Sequence, residues 1–143
     1  MTARLATEHD LLECLRMGRD FAKAAKFEAD DVSMVETLKD LIQAQSLFVV
    51  GHPSHGMAGV IVYPNYFNRS RLVAQEMFWW VDPEARGLGA GRELLTTIEA
   101  WAKDRGADAL TMIALDDVDG ERVAQMYKAA GYKPLERNFL KVL

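Results

Sequence analysis

The chain has 143 residues, and its 17 basic and 21 acidic side chains give a net charge of −4. Half of the residues are hydrophobic, so the chain can bury a core of its own, and disordered, collagen-like and low-complexity classes are excluded. The acidic balance argues against affinity through broad phosphate neutralisation. Cys14 is the single cysteine, which rules out an intrachain disulfide and fits a reducing compartment. We expect one domain spanning 1–143, located in the cytoplasm, with no membrane-spanning segment and no direct nucleic-acid partner.

The first half of the sequence predicts two helices followed by antiparallel strands. After a short strand at residues 2–5, apolar residues recur at helical spacing from Leu11 to Ala25 and again from Val35 to Ile42. Three β-type runs follow, at residues 46–50, 57–63 and 73–81, separated by turn residues and by a polar, aromatic loop at 64–70. Connections this short favour antiparallel pairing of the strands.

The second half predicts a strand-helix-strand unit and a final helix. A glycine-rich turn leads into a helix with an apolar stripe from Leu94 to Ala102, and a strand is expected at residues 109–115. A last helix is expected around Val123 to Ala130, and the tail should end in a strand at 139–143. A strand-helix-strand order implies a right-handed crossover and a parallel pair. The predicted fold class is therefore α+β, with one mixed sheet, antiparallel first and parallel late, and about four helices.

The most informative stretch is RGLGAGR, residues 86–92, because three glycines alternate between a strand and an amphipathic helix. Such a turn exposes successive backbone N–H groups at a helix N-terminus, which is a binding geometry for anions, above all a pyrophosphate. Arg86 and Arg92 can add charge-assisted bonds to the same phosphates. A P-loop lysine and the protein-kinase signatures are absent, and the third glycine comes one residue too soon for a dinucleotide fingerprint.

The pattern R-x-x-G-x-G after a strand that ends in Val81 resembles the acyl-CoA-binding turn of the GNAT family of N-acetyltransferases. The agreement runs from about Gln75 to Glu136, through MFWWVDPEARGLGAGRELL and ERVAQMYKAAGYKPLE, and the whole chain resembles the compact members often encoded by phages and prophages. The resemblance implies acetyl-CoA as acetyl donor, without a metal, in an opening between the strands that end at Val81 and near Leu115. It also implies that the backbone of Trp79, Trp80 and Val81 binds the cofactor by pairing with its pantetheine arm. The pyrophosphate would be held by the residues of the glycine-rich turn, namely Arg86, Gly87, Leu88, Gly89, Ala90, Gly91 and Arg92.

The resemblance further implies two candidate catalytic residues. Tyr127 occupies the position of a tyrosine that protonates the departing thiolate in many family members, although its helical stripe equally suits packing. Glu76 lies on the strand before the turn, where a glutamate deprotonates the acceptor amine directly or through water. If Glu76 faces an apolar cleft its pKa rises, and if it faces solvent it is only an edge charge. Gly120 stands where the family often has an asparagine that binds the pantetheine.

The function expected from these residues is transfer of an acetyl group from acetyl-CoA to a primary amine, by direct attack in a ternary complex. The partner would be an amine-bearing acceptor, either a small molecule or a protein, and a homodimer that pairs C-terminal strands is open. Specificity would reside in the two N-terminal helices and the 64–70 loop with Tyr63. The alternative is a non-catalytic acyl-CoA sensor or partner-binding module with the same fold.

Overall fold

The computed structural model describes residues 2–143, which form a five-stranded sheet and four helices. The strands are β1 (Ala3–Leu5), β2 (Leu47–Val50), β3 (Gly56–Asn65), β4 (Asn68–Val81) and β5 (Ala107–Thr111). The helices are α1 (Leu11–Ala25), α2 (Asp31–Gln43), α3 (Ala90–Asp104) and α4 (Gly120–Ala129). The chain divides into two compact units: the part up to Ile113 holds the sheet and three helices, and Ala114–Leu143 holds α4.

The sheet is mixed, as the sequence predicts. Its strand order is β1-β2-β3-β4-β5, with antiparallel pairs from β1 through β4 and a parallel pair of β4 and β5. Helix α3 connects the parallel pair. β4 pairs with β5 only over Leu72–Gln75, whereas its pairing with β3 continues to Val81. Within the described residues, β4 therefore has one edge beyond Gln75 that pairs with no strand.

Helices cover both faces of the sheet. On one face, Leu94 and Ile98 of α3 are fully buried in a cluster that includes Val60 of β3. On the other face, Met57 of β3 lies against α1, and the α1 residue Cys14 is fully buried. Burial raises the pKa of the Cys14 thiol to about 12, so this cysteine is a packing residue and no nucleophile at neutral pH.

The predicted loop at 64–70 is mostly strand. β3 continues to Asn65 and β4 begins at Asn68, so only Tyr66 and Phe67 form the tip of a long hairpin. The Asn65 side chain accepts a hydrogen bond from the N–H of Phe67 at 2.8 Å, which closes the tip as a local turn. The polar residues of this segment suggested a loop, but pairing across the hairpin determines its structure.

The predicted C-terminal strand at 139–143 is wrong. Residues 132–143 form no strand, and the large apolar side chains of this tail are exposed, namely Leu135, Phe139, Leu140, Val142 and Leu143. An apolar run such as 139–143 makes a strand only where a neighbouring edge pairs with it, and the Ala114–Leu143 unit contains no strand in its described residues. No helix among residues 2–143 is both long enough and apolar enough to span a membrane.

Candidate active site

The opening expected beside β4 begins where β4 and β5 part. β5 ends at Thr111, earlier than the predicted end at residue 115, because its pairing with β4 stops at Gln75. β4 continues alongside β3 as far as Val81. Beyond Gln75 this edge of β4 pairs with no strand among the described residues, and such an edge can accept a ligand that binds as an added strand.

A β-bulge lies at the start of this edge. Val60 opposes Glu76 and Gly59 opposes Phe78, so Met77 is the extra residue of β4. Regular alternation would put Glu76 and Phe78 on the same face, and the bulge separates them. The Phe78 ring lies over Gly59, where an added Cβ would come within 2.8 Å of it. Glu76 keeps the face of its partner Val60, which belongs to the core under α3.

Glu76 is a buried carboxyl group. Its residue is 2 % exposed, which excludes the alternative of a solvated edge charge. Burial raises the pKa of Glu76 to about 8, and a hydrogen bond from the backbone N–H of Ile113 to the carboxylate opposes this rise only in part. A carboxyl group with a pKa near working pH can accept and release a proton during a reaction.

The glycine-rich turn leads directly into α3. Gly87 and Gly89 have φ values of 82° and 95°, in the left-handed region that glycine tolerates. The N–H of Glu93 donates to the carbonyl of Gly89 at 3.0 Å and is the first intrahelical donor, so the N–H groups of Ala90, Gly91 and Arg92 have no acceptor within the helix. An added Cβ at Gly89 would meet no heavy atom within 4 Å, so the space beside the turn is open. These features fit an anion at the start of a 15-residue helix.

Arg86 is anchored beside this turn. Its Nε donates to the carbonyl of Val81 at 2.9 Å, and its guanidinium carbon lies 4.8 Å from the centroid of the Trp80 ring. Among the described residues, no acidic side chain pairs with Arg86. Its charge therefore stays available to an anion. Arg92 lies exposed in the first turn of α3, and Leu88 is exposed in the turn itself.

The side chains at the end of β4 alternate between the two faces, as expected. Trp79 and Val81 pack against the core under α3. Trp80 is buried on the other side, where its ring makes an edge contact with Phe21 of α1 at 5.9 Å and its indole N–H donates to Asp82 at 2.8 Å. The side chain of Trp80 is thus fully engaged inside the protein, and only its backbone is suited to a ligand.

Tyr127 belongs to the other unit, on α4. It is buried, and its ring centroid lies 5.7 Å from that of Tyr132. The first residue of α4, Gly120, has a close neighbour: an added Cβ would come within 2.5 Å of the carbonyl oxygen of Leu115. An asparagine therefore does not fit at position 120 without a backbone shift.

Sequence reasoning missed the buried ion pair that adjoins the turn. Asp82, which directly follows β4, is buried and accepts two hydrogen bonds from Arg16 of α1. An acidic residue directly after a buried strand signals the need for a cation. No local pattern could identify Arg16, because it lies 66 positions away in the sequence. Among residues 2–143, no group of three or more His, Cys, Asp or Glu side chains could hold a metal ion.

Comparisons with known proteins give a consistent fold. The chain is 33% identical over 60 residues to an aminoglycoside N(6')-acetyltransferase type 1 from Stenotrophomonas maltophilia, a match over 41% of this chain and 37% of that protein. A transcriptional regulator from Bacillus halodurans C-125 superimposes with a TM-score of 0.78 at 24% identity, over 99% of both chains. The crystal structure of a predicted acetyltransferase with acetyl-CoA, from Clostridium acetobutylicum, superimposes with a TM-score of 0.75 at 16% identity, over 99% of this chain and 95% of that one.

The match to a protein family covers more of the chain than the match to the acetyltransferase from Stenotrophomonas maltophilia. The model of the acetyltransferase (GNAT) family matches residues 15–132, which include the open edge of β4, the glycine-rich turn and α4. Four helices and a five-stranded mixed sheet agree with the fold of the structural neighbours. Because the family match covers most of its length, the chain belongs to the GNAT family of acetyltransferases.

Proposed function

We propose that the chain, as a single domain spanning 1–143, transfers an acetyl group from acetyl-CoA to a primary amine by direct attack in a ternary complex. The observation that carries this proposal is the sequence of features along β4. A buried carboxyl group at Glu76, an edge without a partner strand and an anion-binding turn at the start of α3 follow one another within a short stretch. Membership of an acetyltransferase family supports the same reaction.

The residues fit acyl-CoA in two respects. The N–H groups at the start of α3, together with Arg86 and Arg92, offer the donors that a pyrophosphate requires, and the space at Gly89 is open. The backbone of Trp79, Trp80 and Val81 would pair with the pantetheine arm along the open edge of β4. Bound acetyl-CoA would supply an acetyl thioester. A backbone N–H near Val81 would then polarise the thioester carbonyl.

Glu76 and Tyr127 would move the protons. Glu76 would accept the proton that the amine nitrogen loses on acylation, either directly or through a water molecule. Its raised pKa, about 8, suits this role because the residue is then a stronger base than an exposed glutamate. Tyr127, whose ring is buried on α4, would donate a proton to the departing sulfur. Alignment of the amine with the thioester would provide most of the acceleration.

The acceptor would be an amine-bearing small molecule or protein. An aminoglycoside is a specific member of this class to test, because a curated relative that shares 33% identity over 60 residues carries that activity in its name. We expect no direct nucleic-acid partner, since the chain has a net charge of −4, and no membrane partner, since the sequence has no run of about 18 apolar residues. A homodimer through the exposed apolar tail, which includes Phe139 and Leu140, is consistent with this function.

The direct test mixes the protein with acetyl-CoA and a panel of primary amines, and measures release of free CoA thiol. The panel contains polyamines, aminoglycosides, amino acids and peptides with free amino groups. We expect thiol release that depends on one class of amine and is lost in Glu76→Gln, while Glu99→Gln, at an exposed position of α3, retains it. Calorimetric binding of CoA without transfer to any amine would instead favour a non-catalytic acyl-CoA sensor.

A further inference from the structure

A chain of side-chain contacts connects helix α1 to the glycine-rich turn. Asp82 is 4 % exposed, and its carboxylate accepts hydrogen bonds from Arg16 Nη2 at 2.8 Å and Nη1 at 3.2 Å. The same carboxylate accepts the indole N–H of Trp80 at 2.8 Å. The Trp80 ring in turn lies under the guanidinium of Arg86, at 4.8 Å. We call these four residues the Arg16–Arg86 relay.

The backbone of Asp82 fixes the same region. Its N–H donates to the carbonyl of His55 at 2.8 Å, and its carbonyl accepts the N–H of Ala85 at 2.9 Å. Arg16 also donates to the carbonyl of Ser54 at 3.3 Å. The strand end, the β2–β3 turn and the start of the glycine-rich turn are thus held together around one buried carboxylate.

The relay has two physical consequences for an anion bound at the turn. First, the indole of Trp80 is held in one orientation, so Arg86 rests on a fixed surface and loses little side-chain freedom when it binds a phosphate. Second, Arg16 neutralises the charge of Asp82. Without Arg16, a buried negative charge would lie directly before the turn, where it would repel a pyrophosphate and attract Arg86 away from it.

We propose that Arg16 and Asp82 are positioning residues for acyl-CoA, which set its affinity through Trp80 and Arg86 without touching the acetyl group. This inference rests on the proposed function, because it assumes that the turn binds the pyrophosphate. Arg16 lies on a helix that is distant from the turn in sequence. Its role would be to support binding of the pyrophosphate, and the rate of the chemical step would not depend on it.

The experiment compares Arg16→Gln with Arg19→Gln. Both arginines lie on α1 and form a double hydrogen bond with an aspartate, but the Arg19–Asp31 pair is exposed and makes no hydrogen bond to a residue of the relay. We expect Arg16→Gln to raise the Kd of CoA, measured by calorimetry, about 10-fold. A change of this size corresponds to the free energy of one hydrogen bond to a charged group. Arg19→Gln should leave the Kd unchanged, and Arg16→Lys, which keeps the charge, should recover part of the affinity.

A second substrate separates positioning from general damage to the fold. S-acetylpantetheine has the thioester and the pantetheine arm but no pyrophosphate. We expect Arg16→Gln to raise KM for acetyl-CoA, with kcat and the use of S-acetylpantetheine within about 2-fold of the wild-type values. An equal loss with both donors, or an unchanged Kd of CoA, would overturn the inference.

A further variant covers the case in which Arg16→Gln does not fold. Trp80→Phe keeps a ring under Arg86 but removes the indole N–H, and it should raise the Kd of CoA in the same direction. An unchanged Kd in folded Trp80→Phe would also overturn the relay. Wild-type protein that binds no CoA would instead refute the proposed function itself, so the two failures are distinguishable.

Discussion

Replacing Glu76 by glutamine should stabilise the folded chain at alkaline pH. Burial raises the pKa of the Glu76 carboxyl from 4.5 to about 8. Because the folded pKa lies above the unfolded one, the stability associated with this group is complete below pH 4.5 and is lost as the pH rises towards 8. Each pH unit between 4.5 and 8 lowers the free energy of unfolding by about 1.4 kcal/mol, so the wild-type protein loses roughly 5 kcal/mol of stability across this range.

Glutamine has the same shape and no charge, and its carbonyl oxygen can still accept the N–H of Ile113. Glu76→Gln should therefore have the stability of the wild type to within about 1 kcal/mol near pH 5 and exceed it by several kcal/mol near pH 9. Chemical denaturation followed by circular dichroism measures both values. Glu99→Gln, at an exposed position, serves as the matched control and should follow the wild-type pH dependence. Parallel pH profiles for the wild type and Glu76→Gln would refute the placement of a buried, titrating carboxyl group.

The same residue should determine the pH dependence of the reaction. With one acceptor amine, kcat/KM of the wild type should rise through an apparent pKa near 8, since the base is the ionised form of Glu76. Glu76→Gln should lose about 100-fold or more in kcat/KM, the usual contribution of a general base. A variant with wild-type kcat/KM and an unchanged profile would assign the base to another group.

Gly89→Ala forces a residue with a Cβ into a φ of 95°, at a cost of about 1–2 kcal/mol, and should raise the Kd of CoA. Gly131→Ala, at the same φ and with equally open space, should leave the Kd of CoA unchanged. Equal CoA affinity in both variants, measured by calorimetry, would argue against the turn as the anion site. Tyr127→Phe keeps the ring contact with Tyr132 and should lower kcat about 100-fold while KM for acetyl-CoA stays within about 2-fold; unchanged kcat would remove the acid role. Leu94→Ala opens a cavity under α3 and should cost about 2–5 kcal/mol in a denaturation experiment, and a loss below about 1 kcal/mol would contradict a fully packed core there.

The features that the sequence predicted well are those encoded by local patterns. The mixed sheet follows from strands with short connections, then a strand-helix-strand unit, and the turn before α3 follows from glycines at alternate positions. The packing role of Cys14 follows from its place in an apolar helical stripe. In each of these cases, neighbouring residues in the sequence carry the physical cause.

The features that the sequence did not predict depend on distant partners. The bulge at Met77 brings the Phe78 ring over Gly59 on another strand, so regular alternation along β4 does not predict the face of Phe78. The ion pair of Asp82 depends on Arg16, far away in the sequence. The tail ends in the apolar-rich run FLKVL, which suits a strand, but the described part of its own unit offers no strand edge to pair with.

The central claim is that the chain acetylates a primary amine with acetyl-CoA. The most direct measurement is mass spectrometry of a cell lysate supplied with acetyl-CoA, with and without the protein, together with quantitation of free CoA thiol. We expect an acetylated amine that appears only with the active protein, in an amount equal to the CoA thiol released, and that is absent with Glu76→Gln. Tight binding of CoA by the wild-type protein without any acetylated product would contradict it.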